Sequence, residues 1–365
     1  MPLEGNARFC GPIGLGKSKS QLFRNLGGGR FADVTEASGI ARAPAGHGFT
    51  AIAADFDNDG WPDIYVANDA APSLMFHNRG DGTFEEIGAV SATAFSDAGL
   101  EQAGMGVDVA DYDGDGLFDI VKTNFSDDIP SLYHAFGRLT YSDEALGSGL
   151  QANPHYLGWG VLFADVDRDG KPDILIANGH VYQDIAKVEH NAAYKERKLL
   201  YRNASHGHFQ DVSTESGPAI AAVHSARGMA AADLFNRGRL DFVVNNMWET
   251  PSILTDRLPS PNHWTEIRLT GATANTNAIG SRVIVETEQG TQFNEVRSGG
   301  SFCSQSDFRL YFGLGGATRI RRLRVQWLGG GNEEFSGVPA DRLLVIRQGR
   351  GIVEQTPLPL STALH

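Results

Sequence analysis

Short runs of alternating apolar and polar residues, broken by glycine, fill this chain, and four of them recur in one frame. Small, apolar stretches (GFTAIAADFD, GMGVDVADYD, GWGVLFADVD and RGMAAADLFN) open into acidic loops, and the first three loops close into the β-branched runs IYVAN, IVKTN and ILIAN. Alternation of this length predicts strands, so each loop joins two of them. A third strand follows at PSLMFHN, PSLYHAF, LLYRN and PSILTDR, and a fourth at GTFEEIG, RLTYSDE and GHFQDVS. The first loop residues, Asp55, Asp111, Asp165 and Asp233, lie 56, 54 and 68 residues apart. That spacing suits four-stranded propeller blades. The third interval is longer because His180 to Lys198 is inserted, read as a loop with a short helix.

LFRNLGGGRFADVT repeats only a third and fourth strand, and the last unit shows only the first three. Two part-blades can close a ring by sharing one sheet, or they are the broken ends of a longer propeller. From Asn262 the acidic loops stop, and alternating runs with glycine turns predict a β-sandwich of six or seven strands. The expected organisation is an N-terminal extension over 1–21, propeller repeats over 22–258, a β-domain over 262–350 and a loose tail over 351–365. The fold class expected is all-β.

The loops read DFDNDGWPD, DYDGDGLFD, DVDRDGKPD and a decayed DLFNRGRLD. In the first three, carboxylates stand at positions 1, 3, 5 and 9 with glycine at position 6, a hard-oxygen set that suits calcium. The ligands expected are Asp55, Asp57, Asp59 and Asp63; Asp111, Asp113, Asp115 and Asp119; and Asp165, Asp167, Asp169 and Asp173. They would hold about three calcium ions. An EF-hand would need a glutamate at position 12, where Val66, Lys122 and Ile176 stand. The fourth loop has Phe235 and Arg237 at positions 3 and 5, so no ion is expected there and Arg237 is the candidate positive charge.

The net charge of −13 splits into about −15 for the repeats and +2 from Asn262 onward. Such an acidic surface argues against nucleic acid as a partner. No run reaches transmembrane length and MPLEGNARFCG lacks the apolar core of a signal peptide. Two cysteines, Cys10 and Cys303, are too few for a disulfide framework and leave their pairing open.

Turns at the other ends of the strands should gather His47, Met105, His155, Tyr156, Trp159, His180, His224 and Arg227 on the face opposite the acidic loops. Of these, His47, Met105, Tyr156, Trp159, His180 and Arg227 form a candidate ligand funnel, with Trp159 and Tyr156 stacking and Arg227 pairing an anion. The competing reading makes Phe49, Met105, Trp159 and Arg227 packing positions around the axis. No HExxH, GxSxG or CxxC spacing supports catalysis, and GLGKS at Gly14 has no preceding strand for a P-loop.

The DxDxDGxxD loops with LYRN-type strands resemble FG-GAP/VCBS repeats, the blades of integrin-like propellers. HWTEIRLTG, TNAIGSRV and SGGSFCSQSDFRLYFGLG resemble the ASPIC/UnbV domain of the cartilage acidic protein-like family. The resemblance implies a calcium-binding protein of the exterior, periplasm or cell surface whose partner is an unidentified protein or carbohydrate. It also implies that CGPIGL lies inside longer chains, so this one reads as shortened at its N-terminus. The function expected is a binding or adhesion module; the alternative is a calcium-stabilised enzyme using the funnel.

Overall fold

The protein is described by a computed structural model over residues 11, 12, 14–257 and 259–358. Cys10 lies outside the described residues, as does part of the expected extension over 1–21. The acidic loops turn each apolar run back on the next, so the strands pair in sequence order. A hairpin of β1 (Phe23–Gly27) and β2 (Arg30–Asp33) comes first. The first full blade is β3 (Gly48–Ala54), β4 (Asp63–Asn68), β5 (Leu74–Asn78) and β6 (Phe84–Glu86). The second is β7 (Gly104–Ala110), β8 (Asp119–Asn124), β9 (Ser131–Gly137) and β10 (Thr140–Asp143). The third is β11 (Gly158–Ala164), β12 (Asp173–Asn178), β13 (Leu199–Asn203) and β14 (Phe209–Asp211). Three strands, β15 (Ala226–Ala232), β16 (Asp241–Asn246) and β17 (Ser252–Thr255), make the fourth. The inserted segment carries a 3-10 turn at Ile185–Lys187.

Inner strands β3, β7, β11 and β15 stand side by side, and apolar residues of neighbouring blades fill the wedges between them. Ile52, Tyr65, Val107 and Tyr133 join the first and second blades; Val121, Val161 and Ile174 join the second and third; Leu162, Met229 and Phe242 join the third and fourth. The two part-blades do not share a sheet: among the described residues β1 pairs only with β2, and β17 only with β16. Of the two readings left open for the part-blades, the shared sheet is therefore not the one found among the described residues.

Among the described residues the C-terminal part is a sandwich of eight strands, where six or seven were expected. They are β18 (His263–Thr270), β19 (Arg282–Glu286), β20 (Thr291–Glu295), β21 (Leu310–Gly315), β22 (Arg319–Gln326), β23 (Asn332–Pro339), β24 (Arg342–Arg347) and β25 (Gly351–Pro357). One sheet has the order β21-β18-β24-β25 and the other β20-β19-β22-β23. Ile267, Val283, Leu323 and Leu344 fill the core between them. The expected tail over 351–365 is corrected in its first half, because β25 pairs antiparallel with β24. Its alternation is weak because it is an edge strand with little burial. No helix among the described residues is long and apolar enough to cross a membrane.

Between β20 and β21 the chain leaves the sandwich and enters the propeller bore. Gly299 bridges Ile52 of β3, and Ser301 bridges Val107 of β7. Ser301 N–H donates to the Val107 carbonyl at 2.6 Å and its own carbonyl accepts from Val107 N–H at 3.0 Å. Further along, Asp307 N–H donates to the Ala231 carbonyl at 2.9 Å, and Ala231 N–H to Ser306 Oγ at 3.1 Å. Backbone can approach this closely only where side chains are missing. A Cβ on Gly106 would lie 2.1 Å from the Trp159 carbonyl oxygen and 3.0 Å from that of Ser301.

Candidate metal centres and the interdomain face

Each acidic loop is wound by its own backbone. The position-1 carboxylate accepts the N–H groups of positions 5 and 6: Asp59 and Gly60 onto Asp55 (3.0 and 3.0 Å), Asp115 and Gly116 onto Asp111 (3.0 and 3.0 Å), Asp169 and Gly170 onto Asp165 (3.1 and 2.8 Å). The position-9 carboxylate ties the loop to the blade, since Asp63, Asp119 and Asp173 accept N–H groups from Asn78, Ala135 and Asn203 on the third strand, each at 2.8 Å. These bonds aim positions 1, 3 and 9 at a common point. Oxygens of Asp55, Asp57 and Asp63 lie within 4.8 Å of one another, as do those of Asp111, Asp113 and Asp119, and of Asp165, Asp167 and Asp173. The position-5 residues stand outside these trios: Asp59, Asp115 and Asp169 accept the N–H of Trp61, Leu117 and Lys171 at 2.8, 2.8 and 2.9 Å.

Crowded, half-buried carboxylates hold protons more tightly than free ones. Burial pushes Asp63 and Asp173 up to about 7 and Asp111 up to about 6, while Asp119 and Asp165 rise well above the ordinary range for the same reason. Two histidines that sequence reasoning missed sit against the loops. His77 Nδ1 is 3.2 Å from Asp63 Oδ1, and His134 Nε2 is 2.9 Å from Asp113 Oδ2, making a further trio with Asp115. Both precede the residue whose N–H binds position 9, where the third blade has Arg202, and that shared register was the available signal.

The fourth loop keeps the winding and replaces the chemistry. Gly238 N–H donates to Asp233 Oδ2 at 2.6 Å and Leu234 N–H to Asp241 Oδ2 at 3.2 Å, as in the other loops. Arg237 Nη2 meets Asp241 Oδ1 at 2.5 Å, with both side chains buried. Removing one partner of a buried pair leaves an uncompensated charge. Arg237→Ala is expected to cost about 3 kcal/mol in a urea titration; a loss below about 1 kcal/mol would mean that the guanidinium is not what neutralises this loop.

The sandwich sits on the loop face. Arg282 Nη2 donates to the Asp55 carbonyl at 2.9 Å and the same guanidinium reaches Asn58 and Glu295. Asn262 Nδ2 holds the Asp167 carbonyl at 3.0 Å, Gly315 N–H the Arg168 carbonyl at 2.9 Å, and Tyr311 OH the Gly238 carbonyl at 3.0 Å. None of these contacts was foreseen; Ser260 and Asn262, at the junction of the two expected domains, both hold the Asp167 carbonyl of the third loop.

On the opposite face, Trp159 and Met105 are buried beside Phe302, which arrives through the bore. The Phe302 ring lies 4.7 Å from that of Trp159 and 5.8 Å from that of Phe49, and Arg227 stacks 4.2 Å over Trp159. Tyr156 packs with the wedge between the second and third blades. His47 faces the Asp69 carbonyl at 3.2 Å, and His155 and His224 each pair with a carboxylate at 2.7 Å. His180 is buried between Phe125 and Tyr182, and burial lowers it to about 4.

Comparison with known proteins gives two family matches: ASPIC and UnbV over residues 271–353, and FG-GAP-like repeat over residues 13–66 and 55–121. Cartilage acidic protein 1 of Homo sapiens is 25% identical over 295 residues, covering 78% of this chain and 41% of that protein. The Xenopus tropicalis protein of the same name is 25% identical over 280 residues, covering 74% and 40%. The chain thus spans about two fifths of the length of these relatives. A solved structure described as the basis of specific recognition of non-reducing terminal N-acetylglucosamine by an Agrocybe aegerita lectin aligns at TM-score 0.36 and 18% identity, covering 64% of this chain and 60% of that one. That alignment is too loose to carry an argument. FG-GAP-like repeats and an ASPIC and UnbV domain are thus found in this chain in that order, and it is similar to the cartilage acidic proteins over about three quarters of its length.

Proposed function

We propose that the chain is a calcium-stabilised binding module of the cell exterior, with one calcium ion in each of the first three loops and a protein or carbohydrate as ligand. The observation that carries the calcium reading is the fourth loop. There the same backbone frame persists while the guanidinium of Arg237 meets the position-9 acid, which supports a cation as the missing element of the other three. The trio at each loop supplies hard oxygens, and waters and backbone carbonyls would complete the shell. Calcium in this reading is structural: it neutralises carboxylates that otherwise repel and hold protons. Isothermal titration should give about three ions per chain, and Asp63→Asn, Asp119→Asn and Asp173→Asn together should abolish that uptake; unchanged uptake in the triple variant would sink the assignment.

The pH dependence follows from the raised carboxyls. Without calcium, Asp63 and Asp173 keep protons up to about 7 and Asp111 up to about 6, while the unfolded chain loses them near 3.8. Between those limits the folded state binds more protons, so calcium-free stability falls as pH rises through the window. Calcium competes with the protons and should stabilise more at pH 7.5 than at pH 5. Melting in EDTA and in calcium at both values reads this directly, and a gap as wide at pH 5 would contradict it.

A further inference from the structure

A cavity of about 690 Å³ lies between the loop face and the sandwich, walled by the second to fourth blades, by β20 and β21 and by the segment in the bore. That size and place, at a domain boundary, are typical of small-molecule sites. Outside the calcium frames its carboxylates outnumber their cations. Asp108 faces Arg297 at 3.8 Å and Glu295 faces Arg282 at 2.6 Å. Asp307 and Glu266 must share Arg309, at 2.5 and 2.9 Å. The Asp233 carboxylate takes the Gly238 N–H and lies against the Glu266 carboxyl, while Arg309 reaches the Asp233 carbonyl.

The shortage shows in individual atoms. Glu266 and Asp233 are 1% and 3% exposed, yet Glu266 Oε1 and Asp233 Oδ1 receive no hydrogen bond. An unmet buried acceptor is costly, and more so when it is charged. Two acids placed against each other in the wall of one cavity need either a proton shared between them or a donor that carries positive charge.

We infer that this cavity is a binding site for a small organic cation bearing a primary ammonium group, held by Asp233 and Glu266. An ammonium offers three N–H donors, enough for both free oxygens and a water or carbonyl in the wall. Its charge restores the balance that Arg309 alone leaves incomplete. Burial raises the Glu266 carboxyl to about 8, with Arg309 opposing the rise and Asp233 adding to it, and a bound cation would keep the group ionised. The inference rests on the binding-module reading and gives it a site and a ligand class, but neither acid belongs to a calcium frame.

The test is calorimetric titration of the whole chain, in saturating calcium, with 1,5-diaminopentane and with 1,5-pentanediol as the uncharged match in size. One diamine should bind per chain and the diol should not. Glu266→Gln and Asp233→Asn should each weaken diamine binding at least about tenfold, the loss of a charge-assisted hydrogen bond, with the calcium-dependent melting shift retained. Binding of neither compound, equal binding of both, or unchanged diamine affinity in both variants overturns the inference. If Glu266→Gln fails to fold, Asp233→Asn decides. A retained calcium shift without diamine binding defeats this site alone; a missing calcium shift defeats the calcium reading and leaves the diamine result to stand by itself.

Discussion

Chelating calcium from the purified chain is expected to lower its melting temperature by about 10 °C. Each site stabilises the folded state by RT ln(1 + [Ca]/Kd), which for about 2 mM calcium and a dissociation constant on the order of 0.1 mM is roughly 1.8 kcal/mol. Three sites therefore contribute about 5 kcal/mol, equivalent to on the order of 10 °C for a chain of this size. The effect should reach beyond the hairpins. Asp63, Asp119 and Asp173 tie the loops to third strands, while Arg282, Asn262 and Gly315 tie two of the loops to the sandwich. Loops that open on chelation loosen both sets of contacts, so hydrogen exchange should rise at Asn78, Ala135, Asn203 and Gly315. Melting within a degree or two in EDTA and in calcium would show that the carboxylates are accommodated by protons alone.

Gly106→Ala should be almost as damaging, at about 3 kcal/mol, although it adds one methyl group. The new Cβ would meet the carbonyl oxygens of Trp159 and Ser301 at 2.1 and 3.0 Å, and neither is the movable end of a side chain. To make room, β7 must part from β11 or the bore segment must back out, and the paired amides of Val107 and Ser301 lose partners. Urea denaturation measures the cost, and hydrogen exchange at those two amides locates it. Gly137→Ala is the control, since its Cβ would have only ordinary contact with Thr140 at 3.9 Å. Equal stability of the two variants would mean that the bore segment is not held as tightly as these contacts imply.

The propeller strands were legible because each lies within a few residues of its own loop and repeats. Four copies of one pattern also exposed the exception, and Arg237 stands where a cation was expected to be replaced. The position-5 acids show what spacing leaves open: Oδ1 of Asp59, Asp115 and Asp169 accepts the N–H of the next turn, and Asp115 groups with Asp113 and His134, not with Asp111 and Asp119. The funnel residues were likewise placed together without being shown what fills the space between them. That group is Phe302, more than a hundred residues further along the chain than Trp159, Met105 or Phe49.

By itself, then, the amino-acid order determined the blades, the acidic loops, the odd fourth copy and the change to a sandwich near Asn262, all of them consequences of local alternation and turn chemistry. Tertiary structure alone decided that the sandwich rests on the loop face, that its segment from Gly299 to Asp307 fills the bore, and that Asp233 and Glu266 meet at one cavity. Thr50 and Ser301 are joined across 251 residues. Contacts over such separations depend on how two finished surfaces fit, and no periodicity within either surface encodes the fit.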